Sequence, residues 1–291
     1  MNYMPQILYT DYSLVTYSGS HPVQSNGSLT NLKSGWSDEY WVSDSLVESQ
    51  SLAMDFGIIS GSKARNFLLI DGHNLDTCQS DGTIYLQASN NADFDSGTED
   101  VVAIQIDLDA MTTPKPDIIF QSFTPVAKRY WRVAYYGTKQ EEPRIANIIV
   151  DKSVDFQFQE KWGYKKENQL FITNENTTLD GSINNSKSQD GRLMYELDFP
   201  LQNNTFKSTL KEFLKVCRGS WQSFYFYDSS HSWIRQMLLQ EDYYPVVVKK
   251  YGLNQIATLK MQSVETSTRW HDPDAFSTET GLSDDRILID Y

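Results

Sequence analysis

The sequence predicts a mainly β protein in two parts, a jelly-roll-type sandwich over residues 1–151 and a β-sandwich with one flanking helix over residues 152–265. Three observations predict it. Short alternating or apolar runs recur through the first 150 residues with no helical period, and turn dipeptides such as Asp71-Gly72 and Asp81-Gly82 separate them. One stretch in the second half has the helical spacing: Phe206, Leu210, Phe213, Leu214 and Cys217 fall at i, i+4, i+7, i+8 and i+11. An aromatic share of 13% with 17 Tyr suits sheets and contact surfaces.

At 291 residues the chain is long enough for two cores. A net charge of -13 and a pI near 4.7 repel phosphate backbones, and no basic patch offsets them, so nucleic acid is excluded as a partner. No run approaches the roughly 18 apolar residues of a membrane span. Met1 to Tyr12 has no apolar segment flanked by basic residues, so synthesis in the cytosol without export is expected. Cys78 and Cys217 fall in different halves and read as reduced, buried thiols.

Taken in order, Ser34 to Asp44 is an aromatic-rich loop too polar for a core strand, and it supplies the first candidate contacts, Trp36, Tyr40 and Trp41. Two uses stay open for them: stacking on a sugar ring or a partner chain, or folding under the sandwich as a core lid. Ser51 to Gly57 alternates Leu52, Met54 and Phe56 against Ser51, Ala53 and Asp55, the period of a half-buried strand. Asn66–Ile70, Thr83–Ser89 and Val101–Leu108 read as further strands, and Arg129–Tyr136 with Arg144–Val150 as a closing antiparallel pair. Arg129 and Arg132, flanking Trp131, read as a solvated or ion-paired sheet face. Asp71, His73 and Asp76 share a turn and are candidates for a metal or a sugar, against a plain reading as turn residues bonded to their own backbone.

Asp151 to Asp155 marks the junction, and Thr173 to Asp190, polar and without apolar period, reads as a functional or mobile loop. A strand at Arg192–Phe199 leads into the helix at 205–218, Gly219 can take its left-handed C-terminal position, and Trp221 to Asp228 follows as an aromatic strand. Pro245–Lys250 and Ala257–Glu265 close the second part as a strand pair about Gly252. Residues 266–291 form an acidic arm with an apolar tag at Ile287, Leu288 and Ile289. Tyr225 and Tyr227, with that tag, are candidate subunit-interface residues.

The first part resembles the galactose-binding-like fold of discoidin and coagulation-factor C domains. The resemblance is carried by Leu52-Ala53-Met54-Asp55-Phe56-Gly57, Leu69-Ile70-Asp71-Gly72-His73-Asn74, Tyr85-Leu86-Gln87-Ala88-Ser89-Asn90, Arg129-Tyr130-Trp131-Arg132-Val133 and Ala146-Asn147-Ile148-Ile149-Val150, in the family's order. The second part resembles phage minor tail and distal tail proteins through the Arg192–Phe199 strand, Leu210 and Phe213 on the helix, Gly219 and Phe224-Tyr225-Phe226-Tyr227-Asp228. That resemblance implies a structural protein of the virion tail tip or baseplate, made in the host cytoplasm. It implies a ring that works by interfaces and not by turnover, with hexameric symmetry and the tail tube and tail hub proteins as partners, and a host surface glycan as a further one. The rival reading is a stand-alone, lectin-like carbohydrate-binding protein, and a third is an enzyme accessory subunit. No catalytic residue, metal set or cofactor is assigned: the histidines lack an i, i+4 pair, and no nucleophile elbow or phosphate loop is present.

Overall fold

A computed structural model describes residues 5–20, 27–33, 39–43, 50–58, 63–75, 83–94, 102–107, 118–135, 141–156, 165–177, 183–197, 201–202, 204–217, 222–228, 233–239, 247–250, 253–256 and 259–263. Trp36, Asp76, Cys78, Trp221, Gly219, Gly252 and the Ile287–Leu288–Ile289 tag lie outside the described residues. In chain order the first strands are β1 (Gln6–Leu8), β2 (Thr16–Gly19), β3 (Trp41–Val42), β4 (Gln50–Asp55), β5 (Arg65–Asp71) and β6 (Thr83–Ser89). Next come β7 (Val102–Asp107), β8 (Ile118–Val126), β9 (Tyr130–Tyr135), β10 (Arg144–Ile145), β11 (Asn147–Asp151) and β12 (Val154–Asp155). The rest are β13 (Lys165–Thr177), β14 (Ile183–Leu197), β15 (Leu201–Gln202), helix α1 (Asn204–Cys217), β16 (Phe224–Asp228), β17 (Trp233–Leu239), β18 (Val247–Lys250), β19 (Leu253–Ile256) and β20 (Leu259–Ser263).

The chain divides into two compact units, Leu8–Ser153 and Met1–Ile7 with Val154–Tyr291. The sequence groups residues 1–151 together, whereas this division assigns the first seven residues to the later unit. The cause is backbone pairing. β1 lies between β12 and β16, with Gln6 opposite Asp155 and Ile7 opposite Val154, and the Phe156 amide donates to the Pro5 carbonyl at 3.2 Å.

The Leu8–Ser153 unit is the sandwich, with a five-stranded antiparallel sheet β2-β4-β9-β6-β7 and a three-stranded sheet β11-β5-β8. β4 alternates as its sequence predicts, burying Leu52 and Met54. β5, the middle strand of its sheet, carries the continuous apolar run Phe67, Leu68, Leu69 and Ile70, all of it buried. The two sheets share one core in which Leu52, Met54, Trp131, Val133, Leu86, Leu68, Ile70, Ile148 and Val150 meet. One expectation is corrected. β9 and β11 do not pair: β9 sits between β4 and β6, and β11 pairs with β5 in the other sheet. β8 is a strand beyond those read from the sequence, and its Pro125 is tolerated because β8 is an edge strand.

The second unit contains a seven-stranded sheet, β12-β1-β16-β17-β20-β14-β13, a three-stranded sheet, β15-β19-β18, and α1. α1 starts one residue before the predicted 205, Arg218 lies outside the described residues, and the helix buries Leu210, Phe213 and Cys217, while Leu214 is only half-buried. Phe213 meets Phe224 of β16 edge to face, with ring centroids 4.9 Å apart. The expected loop at Thr173–Asp190 is instead part of a long hairpin, since β13 and β14 pair from Lys165↔Glu196 to Thr177↔Ile183. Ladder bonds come from the backbone and need no apolar period, so a polar hairpin escapes a reading based on burial. The expected final strand pair is corrected too. β18 pairs with β19, while β20 enters the larger sheet between β17 and β14.

Candidate functional site

The sequence candidates converge where β5 ends and β11 begins. β10 pairs with β3, placing Arg144 opposite Val42 and Ile145 opposite Trp41. Strand alternation then turns Trp41 and Ile145 into the core, where both are buried, and leaves Arg144 exposed. Trp41 therefore takes the core-lid role of the two that its sequence left open, and its indole face is not available to a ligand. Tyr40, one residue earlier, is half-buried, and the Arg144 guanidinium lies 5.4 Å from its ring centre. The Asn31 amide donates to the Tyr40 carbonyl at 2.7 Å and fixes the backbone beneath that ring. Gly27 is pressed against β3 so closely that a Cβ there would lie 2.7 Å from the Val42 nitrogen.

The turn after β5 grips β10 from the other side. Gly72 adopts a φ of 61°, a left-handed conformation suited to glycine, and the carbonyls of Asp71 and Gly72 both accept from the Ala146 amide at 3.1 Å. Buried Asn74 accepts from the Arg144 amide at 2.8 Å, and its Nδ2 donates to the Glu142 carbonyl at 3.0 Å. His73 is half-buried, and its Nδ1 accepts the Leu75 amide at 3.2 Å, which leaves the proton of the neutral ring on Nε2. This is the turn-bonding role of the two that the sequence offered. Among the described residues no group of three His, Cys, Asp or Glu side chains is placed to hold a metal ion.

The corner thus joins Tyr40, Arg144 and the His73–Asn74 turn, while Trp36 lies outside the described residues. In the sequence Asn74 and Arg144 are only parts of a turn and a strand. Their pairing spans 70 residues of chain, and no local pattern announces it. The combination offers an aromatic ring with a guanidinium across it on a buried, hydrogen-bonded base. That is suited to binding a polar ligand with an apolar face.

The interface candidates of the second unit fare differently. Tyr225 is buried within its own chain between buried Phe224 and Phe226, because β16 is an interior strand covered on both faces. It is withdrawn as a subunit-interface residue. Tyr227 is half-buried. Cys217 is a free, buried thiol, and burial pushes its pKa well up, away from reactivity. Among the described residues no helix is long and apolar enough to cross a membrane.

No protein-family model matches the sequence, and no curated protein matches it. Several solved carbohydrate-binding modules are similar in structure. Chitosan-binding module 1 of a chitosanase/glucanase from Paenibacillus sp. IK-5 is 17% identical, with 47% of this chain and 94% of the module covered and a TM-score of 0.35. The Clostridium perfringens module CBM32-5, solved with GalNAc-β-1,3-galactose, is 12% identical over 50% of this chain and 99% of its own, with a TM-score of 0.38. CBM32-3 of a family 31 glycoside hydrolase, also from Clostridium perfringens, is 12% identical over 49% and 94%, with a TM-score of 0.37. At these identities and scores the likenesses decide neither ligand nor partner.

Proposed function

We propose that the protein binds carbohydrate through its Leu8–Ser153 sandwich, without turnover, and that the second unit carries that sandwich. The observation behind this reading is the Tyr40–Arg144 pair, an accessible ring and guanidinium seated on a rigid base. A sugar presents apolar C–H faces to a ring and hydroxyls to planar donors, so this pair suits it. The test is a glycan panel that includes chitotriose and GalNAc-β-1,3-galactose, followed by calorimetry on Tyr40→Ala and Arg144→Ala. Binding that either substitution weakens at least about tenfold supports the reading. A panel with no hit, or hits indifferent to both substitutions, sinks it.

A second reading makes the chain a tail-tip or baseplate component that forms a ring, hexameric by the resemblance, at the distal end of a phage tail tube. It is favoured by the order strand β14, helix α1, aromatic strand β16 in the second unit. In that setting the sandwich would reach a host surface glycan, and tail tube and hub proteins would be partners. Mass photometry on the purified chain tests it: a ring-sized species supports the reading, and a monomer at every concentration, with tail neighbours added, overturns it.

A further inference from the structure

We infer that Arg132, on the outward face of the five-stranded sheet, is a second ligand point on the sandwich and takes the carboxylate of an acidic sugar such as a uronic or sialic acid. This rests on the reading that the sandwich binds carbohydrate and adds a site apart from the Tyr40 corner.

The sheet register sets the face. Met54, Trp131 and Ala88 align in one row and Leu52, Val133 and Leu86 in another, and all six are buried. The intervening row, Ala53, Arg132 and Gln87, therefore points away from the core, and all three are half-buried. The Arg132 guanidinium is held on two sides. Its Nε donates to Gln87 Oε1 at 2.6 Å, and its carbon lies 4.5 Å from the ring centre of Phe94. Phe94 has a φ of 52°, in the left-handed region that bulky residues avoid, and it is nonetheless buried in place. These contacts use Nε and one flat side, and leave the two terminal amino groups as an aimed pair of donors.

The same sheet face carries a related pair, in which a guanidinium engages a carboxylate through its other edge. Arg129 stacks on Tyr130 at 4.7 Å, and its Nε and Nη2 reach Asp55 Oδ1 and Oδ2 at 2.8 and 2.9 Å. A guanidinium laid on a ring here accepts a planar carboxylate through two parallel bonds. Among the described residues no carboxylate fills the fork of Arg132. A lone carboxylate on a half-exposed arginine binds weakly, so the ligand needs further contacts. Gln87, beside Arg132 on the same face, offers its side-chain amide for sugar hydroxyls.

The experiment is calorimetry on the full chain with D-galacturonic acid, its methyl ester, N-acetylneuraminic acid, galactose and N-acetylglutamate. The acids are expected to bind at least about tenfold more tightly than ester or galactose, and Arg132→Gln to abolish that preference while neutral-glycan binding at the Tyr40 corner persists. Arg129→Gln is expected to leave the preference intact. Should Arg132→Gln fail to fold by circular dichroism, Phe94→Leu, which frees the guanidinium without removing it, is expected to weaken acid binding several-fold. Equal binding of acid and ester overturns the inference but not the proposed function. Acid binding that survives Arg132→Gln, or acid binding lost in Arg144→Ala instead, overturns it as well. Equal binding of N-acetylglutamate overturns the sugar assignment, and binding of no glycan at all overturns both readings.

Discussion

Asn74 and Arg144 hold each other through the backbone: the Arg144 amide donates to Asn74 Oδ1 at 2.8 Å, and the Asn74 amide donates to the Arg144 carbonyl at 3.4 Å. Asn74 is buried, so removing its side chain leaves the Arg144 amide and the Glu142 carbonyl short of partners. Asn74→Ala is expected to destabilise the fold by about 1–3 kcal/mol in urea unfolding. It should also weaken any glycan bound at Tyr40, because the guanidinium across that ring then loses its fixed backbone. Unchanged stability would show that the turn does not brace β10.

Tyr40 and Trp41 are neighbours with opposite tasks. Trp41→Ala is expected to cost about 3–5 kcal/mol, since the indole is buried opposite Ile145. Tyr40→Ala should leave the unfolding midpoint within about 1 kcal/mol of the parent and change ligand binding instead. The reverse pattern in a urea titration would place the contact surface on the wrong residue.

Helix α1 offers a similar contrast within one turn. Phe213 is buried against Phe224 and Leu214 is half-buried, so Phe213→Ala should destabilise by about 3–5 kcal/mol and Leu214→Ala by about 1 kcal/mol. Equal costs would mean that Leu214 faces a second packed surface.

Tyr17 is buried, and its hydroxyl donates to the Ile148 carbonyl at 2.9 Å. Burial, with smaller contributions from Tyr12 and Asp151, raises its pKa well above the ordinary value of 10.0. The unfolded chain therefore releases this proton first as pH rises. The contribution of Tyr17 is fully present below about pH 10 and is lost as pH climbs through the folded value. Tyr17→Phe is expected to cost about 1–3 kcal/mol at neutral pH through the orphaned carbonyl and to flatten the loss of stability above pH 10. An alkaline limb that is identical in the variant would refute the assignment.

Asp55 titrates in the other direction. The Arg129 hydrogen bond, aided by the Gly57 amide at 2.8 Å, holds its carboxyl below the usual range in spite of partial burial. Its contribution is present above the unfolded value of about 3.9 and fades as pH falls through the lower folded value. Carboxyl NMR should find the Asp55 titration moved up in Arg129→Gln, and an unmoved titration would contradict the pairing.

The parts of the fold legible in the sequence were those written locally. The alternation of Leu52, Met54 and Phe56, the Asp71-Gly72 turn and the spacing of Leu210, Phe213 and Cys217 each specify an element within a dozen residues. Partnership is not local, so two adjacent strand patterns suggest a pair where β9 and β11 each join a different sheet. The hairpin of β13 and β14 looks like a loop in sequence because a polar ribbon satisfies its backbone without an apolar rhythm. At the site, Tyr40 and His73 stand out in the sequence by residue type, but residue type does not tell a half-buried aromatic from a buried one. Tyr40 lies just before β3 and is half-buried, whereas Trp41, the first residue of β3, is buried.

The N-terminal strand has a consequence for synthesis. Gln6 is bonded to Asp155, 149 residues away, so β1 is made before the sandwich and is completed only after every strand of the sandwich has been made. Chains are made at about 5–20 residues per second, which leaves that strand without its neighbours for many seconds. The sandwich has all of its own strands in hand sooner and is free to fold while β1 waits. A strand made ahead of the sandwich is thus among the last to find its place.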